Sequence, residues 1–159
     1  MKKQHNIPPF YEPQSEILIL GSFPSERSRE EGFFYAHPTN RFWAVLKTVF
    51  KSDDSIETIE DKKKFLIKNK IALWDVIGEC EIERSADSSI RDASVNDINS
   101  LMQKTNIKRI FTNGKAADKL YKKYVLAQTK KNAVNLPSTS AANAAYCFSR
   151  LVLAWSIIK

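Results

Sequence analysis

Five aromatic rings, a histidine, an asparagine and an arginine crowd into twelve residues between Gly32 and Trp43, in the order Gly-Phe-Phe-Tyr-Ala-His-Pro-Thr-Asn-Arg-Phe-Trp. Two readings fit those residue types. Phe33, Phe34 and Tyr35 can wall a pocket that holds a planar ligand by stacking, beside the Asn40 amide, which both donates and accepts hydrogen bonds. Alternatively, Asn40 caps a helix through its side-chain oxygen, and the rings only cover the end of a sheet. His37 suits a general base or a structural ring equally well on type alone.

The elements around this stretch follow from periodicity. After Asn40, the apolar residues Phe42, Val45, Leu46, Val49 and Phe50 recur at the spacing of one helix face, so a helix is expected from about Asn40 to Phe50. Residues 17–20 are a continuous apolar run closed by Gly21, the mark of a strand buried on both faces. Residues 71–77 and 109–112 read as further strands, the latter closed by Asn113-Gly114, and 133–136 as a weaker fourth. Polar residues 22–31, with Pro24, read as a loop. Asp54-Ser55-Ile56-Glu57 reads as a capping box opening a helix to about Lys68, with Lys62-Lys63-Lys64 as its solvated face. Three more helices are expected: a short one around Ile98, Leu101 and Met102, one on Ala117, Leu120, Tyr121 and Tyr124, and one on Phe148, Leu151, Val152, Trp155 and Ile158.

Strands alternating with helices give an α/β fold with a parallel sheet covered on both faces and right-handed crossovers. Ligands of such sheets bind beyond the carboxyl ends of the strands. Four loops lie there: 21–38, 77–89 (with the polar run 85–89), Asn113-Gly114-Lys115, and 137–140. The aromatic stretch belongs to the first of them, which favours the pocket over the plain cap.

A length of 159 residues suits one domain, with 1–15 as an extended arm because Pro8, Pro9 and Pro13 disfavour regular structure. No apolar run is long enough to span a membrane, and the amino end has no signal-peptide core, so a cytoplasmic protein is expected. Two distant cysteines and two histidines argue against a disulfide scaffold, an iron–sulfur cluster or a dedicated metal site. A net charge of +7 suits an anionic partner, of which nucleic acid is the commonest. Four glycines exclude a dinucleotide fingerprint, Gly114-Lys115 lacks the rest of a phosphate loop, and no Gly-x-Ser-x-Gly elbow occurs.

Three stretches carry a resemblance: Gly21-Ser22-Phe23-Pro24-Ser25, then the run from Ser28 through Trp43, then Leu136-Pro137-Ser138-Thr139-Ser140. Together they resemble the uracil-DNA glycosylase superfamily, and more narrowly its hypoxanthine-DNA (deoxyinosine) glycosylase branch. The order of elements agrees from about Pro8 to Ile158. The resemblance implies a three-layer α/β/α sandwich around a central four-stranded parallel sheet, acting on DNA that contains deaminated bases. No cofactor, metal or obligate protein partner is implied, and a monomer is expected.

The same resemblance makes Asn40 the catalytic residue and Tyr35 the ring that stacks on the extruded base. Asp75, at the end of the second strand, falls where relatives read the base edge; the alternative is an Asp capping the following loop. Phe23 would form a second wall, beside Ser22. Ser25, His37, Lys115, Ser138 and Ser140 suit DNA contacts, although each serine is equally a turn residue bonding its own backbone. Phe23 stands where many uracil glycosylases place a water-activating Asp or Asn, and Leu136 where they place a His or Asn that stabilises the departing base. Both departures agree with the deoxyinosine branch. Ser140-Ala141-Ala142-Asn143 offers no large apolar wedge. The rivals are a uracil- or mismatch-specific glycosylase, a non-catalytic damage-binding module on the same fold, and a small-molecule enzyme of generic α/β type.

Overall fold

The computed structural model describes residues 2–4, 7–81 and 91–159. Counting from Lys2–Gln4 (β1), the apolar strand Ile17–Gly21 (β2) lies in the middle of a four-stranded sheet with Ile71–Asp75 (β3), Arg109–Asn113 (β6) and Ala133–Leu136 (β7). The order is β3-β2-β6-β7 and every pairing is parallel. Side chains alternate across β2: Ile17 and Ile19 enter one half of the core, Leu18 and Leu20 the other. Because both halves are apolar, the strand carries no polar position, which is why it reads as an unbroken run.

Helices cover both faces. Phe42–Val49 (α2), Ile59–Lys68 (α3) and Phe148–Trp155 (α7) bury Phe42, Leu46, Phe65, Leu151 and Trp155 against the Ile19 side. Ile98–Gln103 (α4) and Lys115–Tyr124 (α5) bury Ile98, Leu101 and Tyr121 against the Leu18 side. The three-layer α/β/α sandwich with four parallel strands is therefore present. Glu26–Glu31 (α1), Leu126–Thr129 (α6) and a final 3-10 turn at Ser156–Ile158 are the other helical elements among the described residues.

Several local readings change. The run 71–77 is not one strand: it breaks at Val76, whose N–H still donates to Gly21 O, and Ile77–Glu81 (β4) then leaves for a separate antiparallel sheet. That sheet has the order β1-β4-β5, with Arg91–Val95 as β5. The amino-terminal arm is thus tied down through β1, and Phe10 bridges to Leu73. Asn96 holds the break, its Nδ2 donating to Asp75 O at 2.9 Å.

Residues 26–31 of the expected loop are helix α1, because the Ser25 hydroxyl takes the Ser28 N–H and Gly32, at φ 77°, ends the turn. The capping box lies four residues later than expected. Thr58 and Asp61 form it, while Asp54 pairs with Lys68 at 2.9 Å. The lysine run is not wholly solvated either. Lys62 Nζ lies 5.3 Å from the Trp43 ring centre and Lys63 Nζ 5.8 Å from that of Phe33, and burial lowers the Lys62 pKa. The expected loop at 85–89 lies outside the described residues.

Candidate functional site

The register of the sheet brings one set of strand ends together. Gly21 is paired with Asp75, Leu20 with Thr112, and Asn113 with Leu136. At these ends the segments after β2 and β7, with the last residues of β3 (Asp75) and β6 (Asn113), line an open cavity of about 150 Å³. Its walls include Asn40, Tyr35, Phe23, Asp75 and Ser22, together with Ser25, His37, Ser138 and Ser140. Nine of the ten residues singled out in the sequence therefore converge. Lys115, the tenth, is exposed at the start of α5 and does not line the cavity.

The aromatic loop is anchored from below. Trp43 Nε1 donates to Phe34 O at 3.1 Å, and the Phe42 ring meets Trp43 and Trp155 edge-on. On this base the Tyr35 ring lies flat over Phe42, with centroids 3.9 Å apart and planes at 19°. Tyr35 itself has φ 53°, a left-handed backbone that costs a bulky residue energy and tends to mark functional sites. Phe33 and Phe34 are buried, and Phe34 and Tyr35 line the cavity.

Gly21 sets how closely two groups approach. A Cβ there would overlap Asp75 Oδ1 and lie 3.1 Å from the Tyr35 hydroxyl. Both polar groups therefore lie against the bare end of β2. Asp75 is only 4% exposed, so its carboxyl is a wall of the cavity and not a surface charge. Phe23, also buried, carries the Arg29 guanidinium 5.2 Å from its ring centre.

Asn40 is held from two sides. The helix α2 begins at Phe42, and Asn40 Oδ1 accepts the Phe42 N–H at 3.0 Å. The same oxygen accepts the Thr139 hydroxyl at 2.8 Å. Thr139 is fully buried and is locked in turn by Asn113: its N–H donates to Asn113 Oδ1 at 3.1 Å, and Asn113 Nδ2 donates to its Oγ1 at 3.0 Å. Sequence reasoning missed Asn113 and assigned Thr139 no role. The available signals were an Asn at a strand's carboxyl end before Gly114, and a Thr inside the Pro-Ser-Thr-Ser turn.

The next residue, Arg41, binds the loop after β7 through main-chain carbonyls. Its guanidinium donates to Tyr146 O at 2.5 Å, Ser140 O at 2.8 Å, Asn143 O at 3.3 Å and Thr139 O at 3.4 Å. Its backbone N–H adds a bond to Thr139 O at 3.0 Å. Trp155 Nε1 pins the start of the same loop through Pro137 O at 2.9 Å.

The rim residues have local partners as well. Ser25 Oγ donates to Ser28 Oγ, Ser138 Oγ takes the Ser140 N–H, and Ser140 Oγ takes the Ala142 N–H, so each serine forms the turn its type allows. His37 Nδ1 accepts the Thr39 N–H at 3.2 Å and lies 2.8 Å from Thr39 Oγ1. Leu136 is buried and does not reach the cavity; Asn113, its register partner, does. Among the described residues no cluster of His, Cys, Asp and Glu could hold a metal ion, and no helix is long and apolar enough to cross a membrane.

Known proteins share this fold. The chain is 33% identical over 142 residues to the hypoxanthine DNA glycosylase of Methanosarcina barkeri, covering 89% of each chain. It is 32% identical over 148 residues to the hypoxanthine DNA glycosylase of Methanosarcina acetivorans, covering 92% of each. A solution NMR structure of a candidate uracil DNA glycosylase from Methanosarcina acetivorans superposes with a TM-score of 0.83 at 32% identity, over 99% of this chain and 96% of that one. The model of the uracil DNA glycosylase superfamily matches residues 8–156, and the chain belongs to that superfamily.

Proposed function

We propose that this protein is a monofunctional DNA glycosylase that extrudes hypoxanthine from DNA and hydrolyses its N-glycosidic bond, with Asn40 as the catalytic residue. The observation that carries this reading is one cavity with a flat ring (Tyr35), a buried carboxyl (Asp75) and a fixed amide (Asn40) on its walls. A base within a duplex is out of reach, and flipping it out costs a few kcal/mol, less for a mispaired base. Stacking on Tyr35 would return about 1–3 kcal/mol, with Phe23 as a second wall.

Hypoxanthine presents a ring N–H beside a carbonyl on its pairing edge, where adenine presents a bare ring nitrogen beside an amine. The Asp75 carboxyl can accept that N–H, whereas adenine's ring nitrogen offers it no donor; Ser22 also lines the cavity. The net charge of +7 favours the phosphate backbone, and Ser25, His37, Lys115, Ser138 and Ser140 are assigned to contacts that fix register. In the reaction, the oxygen of a water bonds to the sugar carbon as the carbon–nitrogen bond breaks. The electron pair leaves with the base, which takes up the proton that the water gives up, and the sugar is left abasic with a hydroxyl on that carbon.

The test is single-turnover release from duplexes that carry one hypoxanthine, xanthine or uracil, read as alkali-labile sites. Hypoxanthine release is expected, with a loss of roughly 10²–10³-fold in Asn40→Ala, the range measured for a single oriented polar group. Uracil release with hypoxanthine untouched would overturn the substrate, and near-wild-type turnover in Asn40→Ala would overturn the catalytic assignment.

A further inference from the structure

The Asn40 amide has a fixed polarity. The Phe42 backbone N–H can only donate, so the Asn40 atom 3.0 Å from it must be the oxygen. That oxygen has two lone pairs, and the Thr139 hydroxyl takes the second at 2.8 Å. Thr139 Oγ1 has one hydrogen. It can send that hydrogen to Asn40 because its acceptor side is filled by Asn113 Nδ2 at 3.0 Å. The chain Asn113 Nδ2 to Thr139 Oγ1 to Asn40 Oδ1 therefore runs in one direction. It leaves Nδ2 as the one edge of the Asn40 amide that no described residue engages.

Resting on the glycosylase reading above, we infer that Asn40 works as an N–H donor to the departing base and not as an acceptor that holds the attacking water, and that Thr139 is the positioning residue that sets this polarity. An acceptor role would need Oδ1, and both of its lone pairs are spent inside the protein. A donor role needs Nδ2, and an N–H aimed at the ring that receives the glycosidic electron pair meets charge as it develops. Thr139 is fully buried at the floor of the cavity, and in this scheme it acts through the Asn40 amide.

Polarity is testable by substitution. In Asn40→Asp, one carboxylate oxygen keeps the bonds to Phe42 and Thr139, and the other replaces the amine. Ionised, that oxygen repels a departing anion; protonated, it donates as the amide did. The ratio of the Asn40→Asp rate to the wild-type rate on a hypoxanthine duplex should be at least about 10²-fold below one near pH 8 and climb about tenfold per pH unit toward the carboxyl range. A ratio that is flat with pH, or at or above one near neutrality, would overturn the donor role.

For the clamp, Thr139→Val should lower the single-turnover rate about tenfold, the effect of one hydrogen bond of ordinary net strength, with little change in duplex affinity. Thr139→Ser should restore the rate. Equal losses in both variants, or a loss seen only in affinity, would remove Thr139 from the positioning role. A third readout does not need turnover: a through-hydrogen-bond scalar coupling between the Phe42 amide nitrogen and Asn40 Cγ is expected in the free protein, and its absence would refute the polarity directly. Wild-type enzyme that releases no hypoxanthine would sink the function while leaving that coupling to decide the polarity by itself.

Discussion

Replacing Arg41 with Ala should loosen the loop after β7 far more than it loosens the sheet. The guanidinium makes two good bonds, to Tyr146 O at 2.5 Å and Ser140 O at 2.8 Å, and two at the edge of useful length, to Asn143 O and Thr139 O. Hydrogen bonds to a charged group contribute about 1.5–3 kcal/mol each, so the two good ones set an upper range of about 3–6 kcal/mol. The loop residues are only part-buried, and water can take over some of their carbonyls, so a loss of about 2–4 kcal/mol in local stability is expected. The readout is native-state hydrogen exchange at the Asn143 and Tyr146 amides, which close turns onto Ser140 O and Asn143 O. They should exchange about 30-fold faster or more, since every 1.4 kcal/mol is a factor of ten, while amides of β2 and β6 change little. Arg41→Lys should recover only a small part, because one ammonium cannot fork across separate carbonyls. Exchange at both amides within about twofold of wild type in Arg41→Ala would refute the clamp, because it would mean the loop holds its shape through Trp155, Thr139 and its own turns alone.

Two further outcomes follow from the geometry. Gly21→Ala puts a methyl onto Asp75 Oδ1 and within 3.1 Å of the Tyr35 hydroxyl; a destabilisation of about 1–3 kcal/mol is expected by urea denaturation, with a larger fractional loss of base release because both cavity groups must shift. Unchanged turnover with normal stability would show that neither group needs its present place. Hydroxyls of Ser55 and Thr58 hold the Asp61 carboxyl below the usual carboxylate range, so its folded pKa is lower than its unfolded one. Its contribution to stability is complete above the unfolded value of about 4 and is lost as the pH falls through the lowered folded value. Asp61→Asn should therefore flatten the acid limb of the stability curve; an unaltered limb would refute that link.

The framework was readable because it depends on patterns that repeat. Buried parallel strands leave runs such as 17–20, one helix face leaves the spacing of Phe42, Val45, Leu46 and Val49, and the rule that ligands gather at strand carboxyl ends then places the loops. What escaped depends on partners distant in sequence. The break at Val76 looks like uninterrupted strand because Val76 and Ile77 are as apolar as residues 71–74, and only the pairing with β1 and β5 reveals a second sheet. Lys62 and Lys63 look solvated by type, yet their stems and charges lie over rings from another segment. The Asn113–Thr139 pair spans 26 residues and joins Asn40 from 99 residues away, a relation no local spacing encodes.

Two adjacent residues, Asn40 and Arg41, meet the loop after β7 in different ways, and the difference matters for how the site assembles. Asn40 meets the Thr139 side chain, and Arg41 meets the carbonyls of Thr139, Ser140, Asn143 and Tyr146. Both lie just ahead of α2, whose first residue, Phe42, supports the Tyr35 ring on one side and packs against Trp155 on the other. One turn of backbone thus fixes the amide, the stacking ring and the loop at once. The contacts close loops of roughly a hundred residues, and pairing of β2, β6 and β7 shortens the span that each must close. Substitutions that weaken β7 or α7, far from the cavity, should disturb the Asn40 amide before they unfold the sheet, because the loop that locks it hangs between those two elements.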